Sequence, residues 1–257
     1  MRSLTPRTLL LLVLAVACVP ALNVQRFSTS GDLFRAGVDR FQRERWDDAI
    51  RAFEKLTFDL PSRDTLLPLA HWYLGQARLK NNERVLAAQS FMRLAEQFPD
   101  DSFADDALYH SGRAYAALWR RPELDPQYGI LAQGQYRLLA GIFPESPFAD
   151  SATAELARLD EWFATKDFET GMHYVSRRAY DSAIIYFTDV VAHWPNTDKA
   201  RQAMLQLVKV YRLPAMNYLE DAEEVCTALR GGFPTDPEVL AVCKLPAADS
   251  TPVAAPR

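Results

Sequence analysis

Three thiols, four imidazoles and several paired carboxylates are the groups in this chain that could do more than meet solvent. Cys18 follows an apolar run, Leu9 to Val16, and the small residue Ala17, with Arg2 and Arg7 the only charges upstream. A short positive segment, an apolar stretch and a small-residue cut site describe a secretory leader. Cleavage after Ala17 would leave Cys18 as the first residue, with a thiol open to acylation. Cys226 and Cys243 lie 17 residues apart. In an oxidising compartment they could close a loop whose bond stabilises by about 3 kcal/mol, the alternative being two partly buried free thiols. His71, His110, His173 and His193 fall in four different segments with no local ligand partner, so no metal site is read from them. The pairs Asp47-Asp48, Asp100-Asp101 and Asp105-Asp106 fall at expected helix starts, where negative charge suits the helix dipole. Nucleophile elbows, phosphate-cradling glycine loops and His-Glu-x-x-His are all missing. The chain reads as a non-enzyme with no catalytic residue and no cofactor.

The apolar run of the leader is too short to span a bilayer, which takes roughly 20 residues. Leu14-Ala15-Val16-Ala17-Cys18 resembles the bacterial lipobox, with Ala15 where leucine is usual. Two readings follow: a lipid-attachment cysteine carrying palmitoyl-type chains, or an ordinary leader with an unmodified Cys18. Of 29 basic residues two are in the leader, against 33 acidic residues, so the mature chain is mildly acidic. With no dense basic patch, nucleic acid is not an expected partner. Residues 1–17 are read as the signal peptide, 18–30 as a tether after the lipid site, and 245–257, rich in Pro and Ala, as a disordered tail.

The elements that must position everything else come from a repeat. Ala49-Phe53-Leu56-Leu60-Pro61 sets a register, and four more segments share it. They are Ala87-Phe91-Leu94-Phe98-Pro99, Ala132-Tyr136-Leu139-Phe143-Pro144, Ala183-Phe187-Val190-Trp194-Pro195 and Ala222-Cys226-Leu229-Phe233-Pro234. Offsets of four, seven and eleven lie on one helix face, and the proline stops the helix. Gly37, Gly75 and Gly171 precede the register alanine by twelve residues, marking an upstream helix that packs closely. The pattern resembles the tetratricopeptide repeat. The expected fold is all-α, an α-solenoid of five such hairpins over 31–234. Its units are 31–61, 65–99, 102–144, 147–195 and 197–234, and a short capping helix follows over 235–244.

The spacing is irregular in two places. Gly112 lies 20 residues before Ala132, the extra residues falling around Trp119 to Pro126. Between Pro144 and Gly171 the period Phe148, Ala152, Leu156, Leu159, Phe163 predicts one helix of about 30 residues, roughly 45 Å long. That helix is read either as a partner surface or as a brace. In stacked hairpins the first helix of each pair lines a groove. Helical spacing puts Phe34, Val38 and Phe41 there, then Trp72 and Gln76, then Tyr109 and Arg113. These seven are the candidate partner-binding residues, the alternative being packing between repeats.

Three stretches narrow the resemblance: Leu124-Asp125-Pro126-Gln127, Phe143-Pro144-Glu145-Ser146-Pro147-Phe148-Ala149, and Glu169 through Arg177-Arg178-Ala179-Tyr180 to Pro195-Asn196-Thr197. With the lipobox and the five repeats they resemble the BamD family, lipoproteins of the machinery that inserts β-barrels into the bacterial outer membrane. The resemblance covers about Gly31 to Leu229. It implies an outer-membrane lipid anchor, a protein facing the periplasm, a BamA-like barrel protein and other assembly subunits as partners, and unfolded outer-membrane protein precursors as clients. Two other readings stay open: a periplasmic adaptor of the Tol or cell-division type, and a scaffold lipoprotein for a cell-envelope enzyme or secretion complex.

Overall fold

A computed structural model describes residues 20–244, and among them the regular structure is helical, without strands. The first helical hairpin pairs α1 (Ser30–Gln42) with α2 (Trp46–Asp59), and the second pairs α3 (Leu66–Lys80) with α4 (Arg84–Gln97). The third is α5 (Ala104–Ala116) with α6 (Gln127–Ile142), and the fourth is α7 (Ala149–Ser176) with α8 (Tyr180–His193). The fifth is α9 (Asp198–Tyr211) with α10 (Leu219–Gly232), followed by the short α11 (Pro237–Val242). The fold is thus all-α and built from five tetratricopeptide-type hairpins. The long helix begins at Ala149, two residues after Pro147, where the Ser146 hydroxyl and carbonyl accept the N–H groups of Phe148 and Ala149. Its 28 residues span about 42 Å.

The described residues form two compact units, 20–118 with Gly134–Ala149, and Trp119–Gln133 with 150–244. In both, the register residues form the hairpin interior. Ala49, Phe53, Ala87, Phe91, Leu94, Ala132, Tyr136, Leu139, Ala183, Phe187 and Val190 are all fully buried. Each upstream glycine meets the ring of its own hairpin. A Cβ on Gly75 would lie 2.6 Å from Phe91, on Gly112 2.6 Å from Tyr136, on Gly171 2.6 Å from Phe187, and on Gly37 3.0 Å from Phe53. The missing side chain therefore makes room for an aromatic one.

Three hairpins turn in the same way. Gln42 to Trp46, Lys80 to Arg84 and Ser176 to Tyr180 are each bridged by three residues, and the middle one, Glu44, Asn82 or Arg178, has a positive φ. That left-handed step ends the first helix and sends the chain back along it.

In the second unit, the insertion of the third hairpin is packed. Trp119 is buried against Phe163, with centroids 4.6 Å apart, and against Trp162 at 5.4 Å. Gly129 leaves space for it, since a Cβ there would sit 2.2 Å from the indole. The Lys166 ammonium donates to the Leu124 carbonyl at 3.2 Å, tying the insertion to α7. Cys226 and Cys243 form a disulfide that fastens the chain after α11 to α10. Arg230 and Arg212 donate to the Cys243 and Val242 carbonyls beside it.

In the first unit, His71 of α3 is a buried imidazole. Burial, with Arg93 and Arg78 nearby, pushes its pKa down to about 4. The unfolded chain takes up this proton near pH 6.5. Between those values the unfolded state binds more protons, so stability should fall as the pH drops from about 6.5 towards 4. The wild type should lose up to about 1.4 kcal/mol per pH unit in this window, and His71→Phe should flatten that slope in urea unfolding. The glycines give a paired expectation. Gly75→Ala should lower the unfolding midpoint, overpacking by about 1–3 kcal/mol outweighing the gain in helix propensity. Gly141→Ala, where a Cβ would meet nothing within 4 Å, should raise stability by about 0.5–1 kcal/mol.

Candidate partner-binding face

The seven candidate groove residues lie on α1, α3 and α5, all within the first unit. The structure sorts them into two groups. Phe34, Val38 and Phe41 are half-buried against the core of the first two hairpins. The residue that joins them is Tyr73 of α3. Its ring stacks on Phe53 at 5.3 Å and meets Phe34 and Phe41 edge-on at 5.8 and 5.5 Å. Edge-to-face and offset-stacked arrangements are the favourable geometries for aromatic pairs. These three residues are therefore largely packing between repeats.

The second group gathers around His110, and its Arg113 is the one exposed residue of the seven. Trp72 lies against Phe91, stacks on Phe103 at 5.1 Å and meets His110 edge-on at 5.4 Å. Tyr109 stacks on Phe148 at 4.7 Å and contacts His110 and Tyr136. Arg113, exposed one turn further on, holds its guanidinium 5.7 Å from the Tyr109 centroid in a cation–π contact. Burial, helped by Arg113, keeps His110 below the ordinary imidazole range, so it is neutral near pH 7. Gln76 is half-buried on the same side of α3 as Trp72. The result is a band of half-buried rings with an amide and one guanidinium at its edge. Such a band can bind apolar and aromatic side chains of a peptide and accept a carbonyl or carboxylate at Arg113.

Sequence reading missed a second concavity on the opposite side of α3. A cavity of about 370 Å³ is lined by His71, Leu74 and Arg78 of α3, by Glu54 and Phe58 of α2, and by Arg93 of α4. Arg78 is engaged with Glu54 and donates to the Ser90 hydroxyl at 2.8 Å. Phe58 at the lip is 89% exposed, the most open of the large apolar side chains described. The sole hint in the sequence is that Phe58 stands outside the apolar offsets of its own repeat.

The Asp pairs are not equivalent either. Asp47 and Asp48 both lie in the first turn of α2, but Asp48 is buried among Arg40, Arg45 and Arg51. It also accepts the Leu22 N–H at 2.9 Å. Residues 20–29, the described part of the tether expected over 18–30, are folded onto the first hairpin. Leu22, Val24 and Phe27 pack against its core, and Val24–Arg26 forms a 3₁₀ turn capped by Asn23. Cys18, the candidate lipid site, lies outside the described residues, as do the signal peptide and the tail beyond Lys244. Among the described residues no helix is long and apolar enough to cross a membrane, and no cluster of three His, Cys, Asp or Glu side chains is placed to hold a metal.

The chain is similar to several known proteins. A curated relative from Vibrio cholerae, the outer membrane protein assembly factor BamD, is 24% identical over 232 residues, covering 84% of this chain and 94% of its own. The protein of the same name from Caulobacter vibrioides is 23% identical over 208 residues, covering 79% of this chain and 66% of its own. Among solved structures, the tetratricopeptide domain of P58(IPK) aligns with a TM-score of 0.44 at 13% identity, over 83% of this chain and 54% of that one. The family model described as YfiO, outer membrane lipoprotein, matches residues 27–226, from the end of the packed amino-terminal segment to Cys226 of the fifth hairpin, and the chain belongs to that family.

Proposed function

We propose that this protein is a lipid-anchored scaffold and recognition subunit of the outer-membrane β-barrel assembly machinery, facing the periplasm. It would bind a BamA-like barrel protein and other assembly subunits, and receive unfolded barrel precursors through its amino-terminal repeats. The observation that carries the reading is the half-buried band of Trp72, Gln76, Tyr109 and Arg113. Unfolded barrel strands offer alternating large apolar and aromatic side chains along an extended backbone. A band of rings with a cation and an amide at its edge complements such a segment, and a helical repeat array supplies it without chemistry. Membership in an outer-membrane lipoprotein family and relatives named as assembly factors support the same role. Cys18 would supply the anchor, since two or three acyl chains hold a protein at a membrane durably where one does not.

Three outcomes are expected. Cys18→Ser should fold normally, judged by its unfolding midpoint, yet move from the membrane to the soluble fraction; retention at membranes without any partner protein would contradict the anchor. A photoreactive residue replacing Trp72 or Tyr109 should cross-link a peptide carrying the carboxy-terminal strand of a barrel protein. Arg113→Glu should weaken that cross-link several-fold while leaving the unfolding midpoint in place. Labelling confined to positions outside the first three repeats would refute the placement.

A further inference from the structure

The segment between the candidate lipid site and the first helix is held at two adjacent points. The Leu22 N–H donates to Asp48 Oδ1 at 2.9 Å, and Arg45 donates to the Pro20 carbonyl at 3.0 Å. The two points are one unit, because Arg45 also pairs with Asp48 Oδ2 at 2.5 Å. Arg51 pairs with the other carboxylate oxygen, and Arg40 stands 4.0 Å away. Asp48 is only 2% exposed. Burial opposes its charge, but the Leu22 N–H, Arg51 and Arg45 outweigh that and hold the carboxyl below its ordinary range. Beyond this clasp Leu22, Val24 and Phe27 bury apolar surface on the first hairpin. From Pro20 onward the chain is therefore part of the folded body.

Cys18 precedes Pro20 by two residues. Two trans peptide units span at most about 7.6 Å. That leash is shorter than the α2 helix, whose 14 residues extend about 21 Å. If Cys18 carries acyl chains, the corner made by Pro20, Arg45 and Asp48 is held within that leash of the headgroup layer, while the far end of α2, about 21 Å away, is under no such constraint.

We infer that the Asp48–Arg45 clasp couples the lipid anchor to the first hairpin through a leash of two residues and sets the α1–α2 turn, Arg43 to Trp46, against the phospholipid surface. This rests on the reading of Cys18 as the lipid site. Membrane attachment is then an orienting device as well as a tether. Charge does not draw the corner to the membrane, because Asp39, Glu44, Asp47 and Asp48 offset Arg40, Arg43, Arg45 and Arg51. The short leash imposes the contact, so it should persist at high salt, where attraction between exposed charges is screened.

The test uses the full-length acylated protein in vesicles of phosphatidylethanolamine and phosphatidylglycerol that include a headgroup-spin-labelled lipid. A fluorophore is attached through Glu44→Cys at the turn or through Arg63→Cys beyond the far end of α2. The probe at 44 should be quenched several-fold more than the probe at 63, at low and at high salt alike. Asp48→Asn in the Glu44→Cys protein should reduce that quenching while the vesicle-bound fraction stays constant. Should that variant fold poorly, a flexible Gly-Ser segment inserted between Val19 and Pro20 leaves the clasp intact and should give the same loss by lengthening the leash. Equal quenching at the two positions, or quenching that survives the inserted segment, overturns the inference while leaving the anchor in place. An unacylated Cys18, read from the mass of the intact protein, removes the anchor and the inference together.

Discussion

In four of the five hairpins the distance between paired helices is set by one contact, a glycine on the first helix pressed against an aromatic ring on the second. An interior glycine costs a helix about 1 kcal/mol relative to alanine. Gly37, Gly75, Gly112 and Gly171 each accept that cost where a Cβ would come within 2.6 to 3.0 Å of Phe53, Phe91, Tyr136 or Phe187. Burying a phenyl ring offsets it, at about 1.5–3 kcal/mol. The fifth hairpin exchanges the sizes: buried Val208 of α9 packs in the same core cluster as Cys226, which stands where the other hairpins carry the ring. The smaller side chain on α10 is also what allows a disulfide at that point.

The same contact explains how the repeats tolerate insertion. In three hairpins the glycine and its ring are 16 residues apart, and in the third they are 24 apart, yet Gly112 meets Tyr136 as closely as Gly75 meets Phe91. The additional residues leave the hairpin and return to it, and they bring Trp119 and the Leu124 carbonyl to α7. Extra chain therefore became structure. The segment most easily taken for a loop has a fully buried tryptophan near its start.

What was legible in the sequence was whatever repeats. Ala, ring, aliphatic and proline at fixed offsets gave five hairpins, because a core built from identical units writes the same pattern each time. Contacts made once leave no such trace. Tyr73 adjoins Trp72 and belongs to the same aromatic helix, but a step of about 100° turns it towards the first hairpin, where it gathers Phe34, Phe41 and Phe53. Spacing from a glycine placed Phe34, Val38, Phe41, Trp72, Gln76, Tyr109 and Arg113 on a common groove side; in the structure Phe34 and Phe41 meet Tyr73, whereas Trp72 and Tyr109 meet His110. Phe58 stood outside the pattern, and so did the cavity it borders.

Asp48 shows why identity and position alone cannot give a role. Asp47 and Asp48 stand at the same helix start and both suit its dipole, yet only one turns inward. A buried carboxylate survives when several donors share its desolvation cost, and removing one partner typically costs about 3–5 kcal/mol because the charge is left uncompensated. Here three guanidinium groups and the Leu22 N–H share it. Since the carboxyl titrates below its usual range in the folded protein, the stability it contributes is present above the unfolded value and is lost only as pH falls through the lowered one. The clasp is therefore fully formed at neutral pH, and acidification must go below the ordinary carboxylate range before it opens. A hold of that kind, made by a charge that cannot leave without stranding its partners, is suited to keeping a short stretch of chain from peeling away under load.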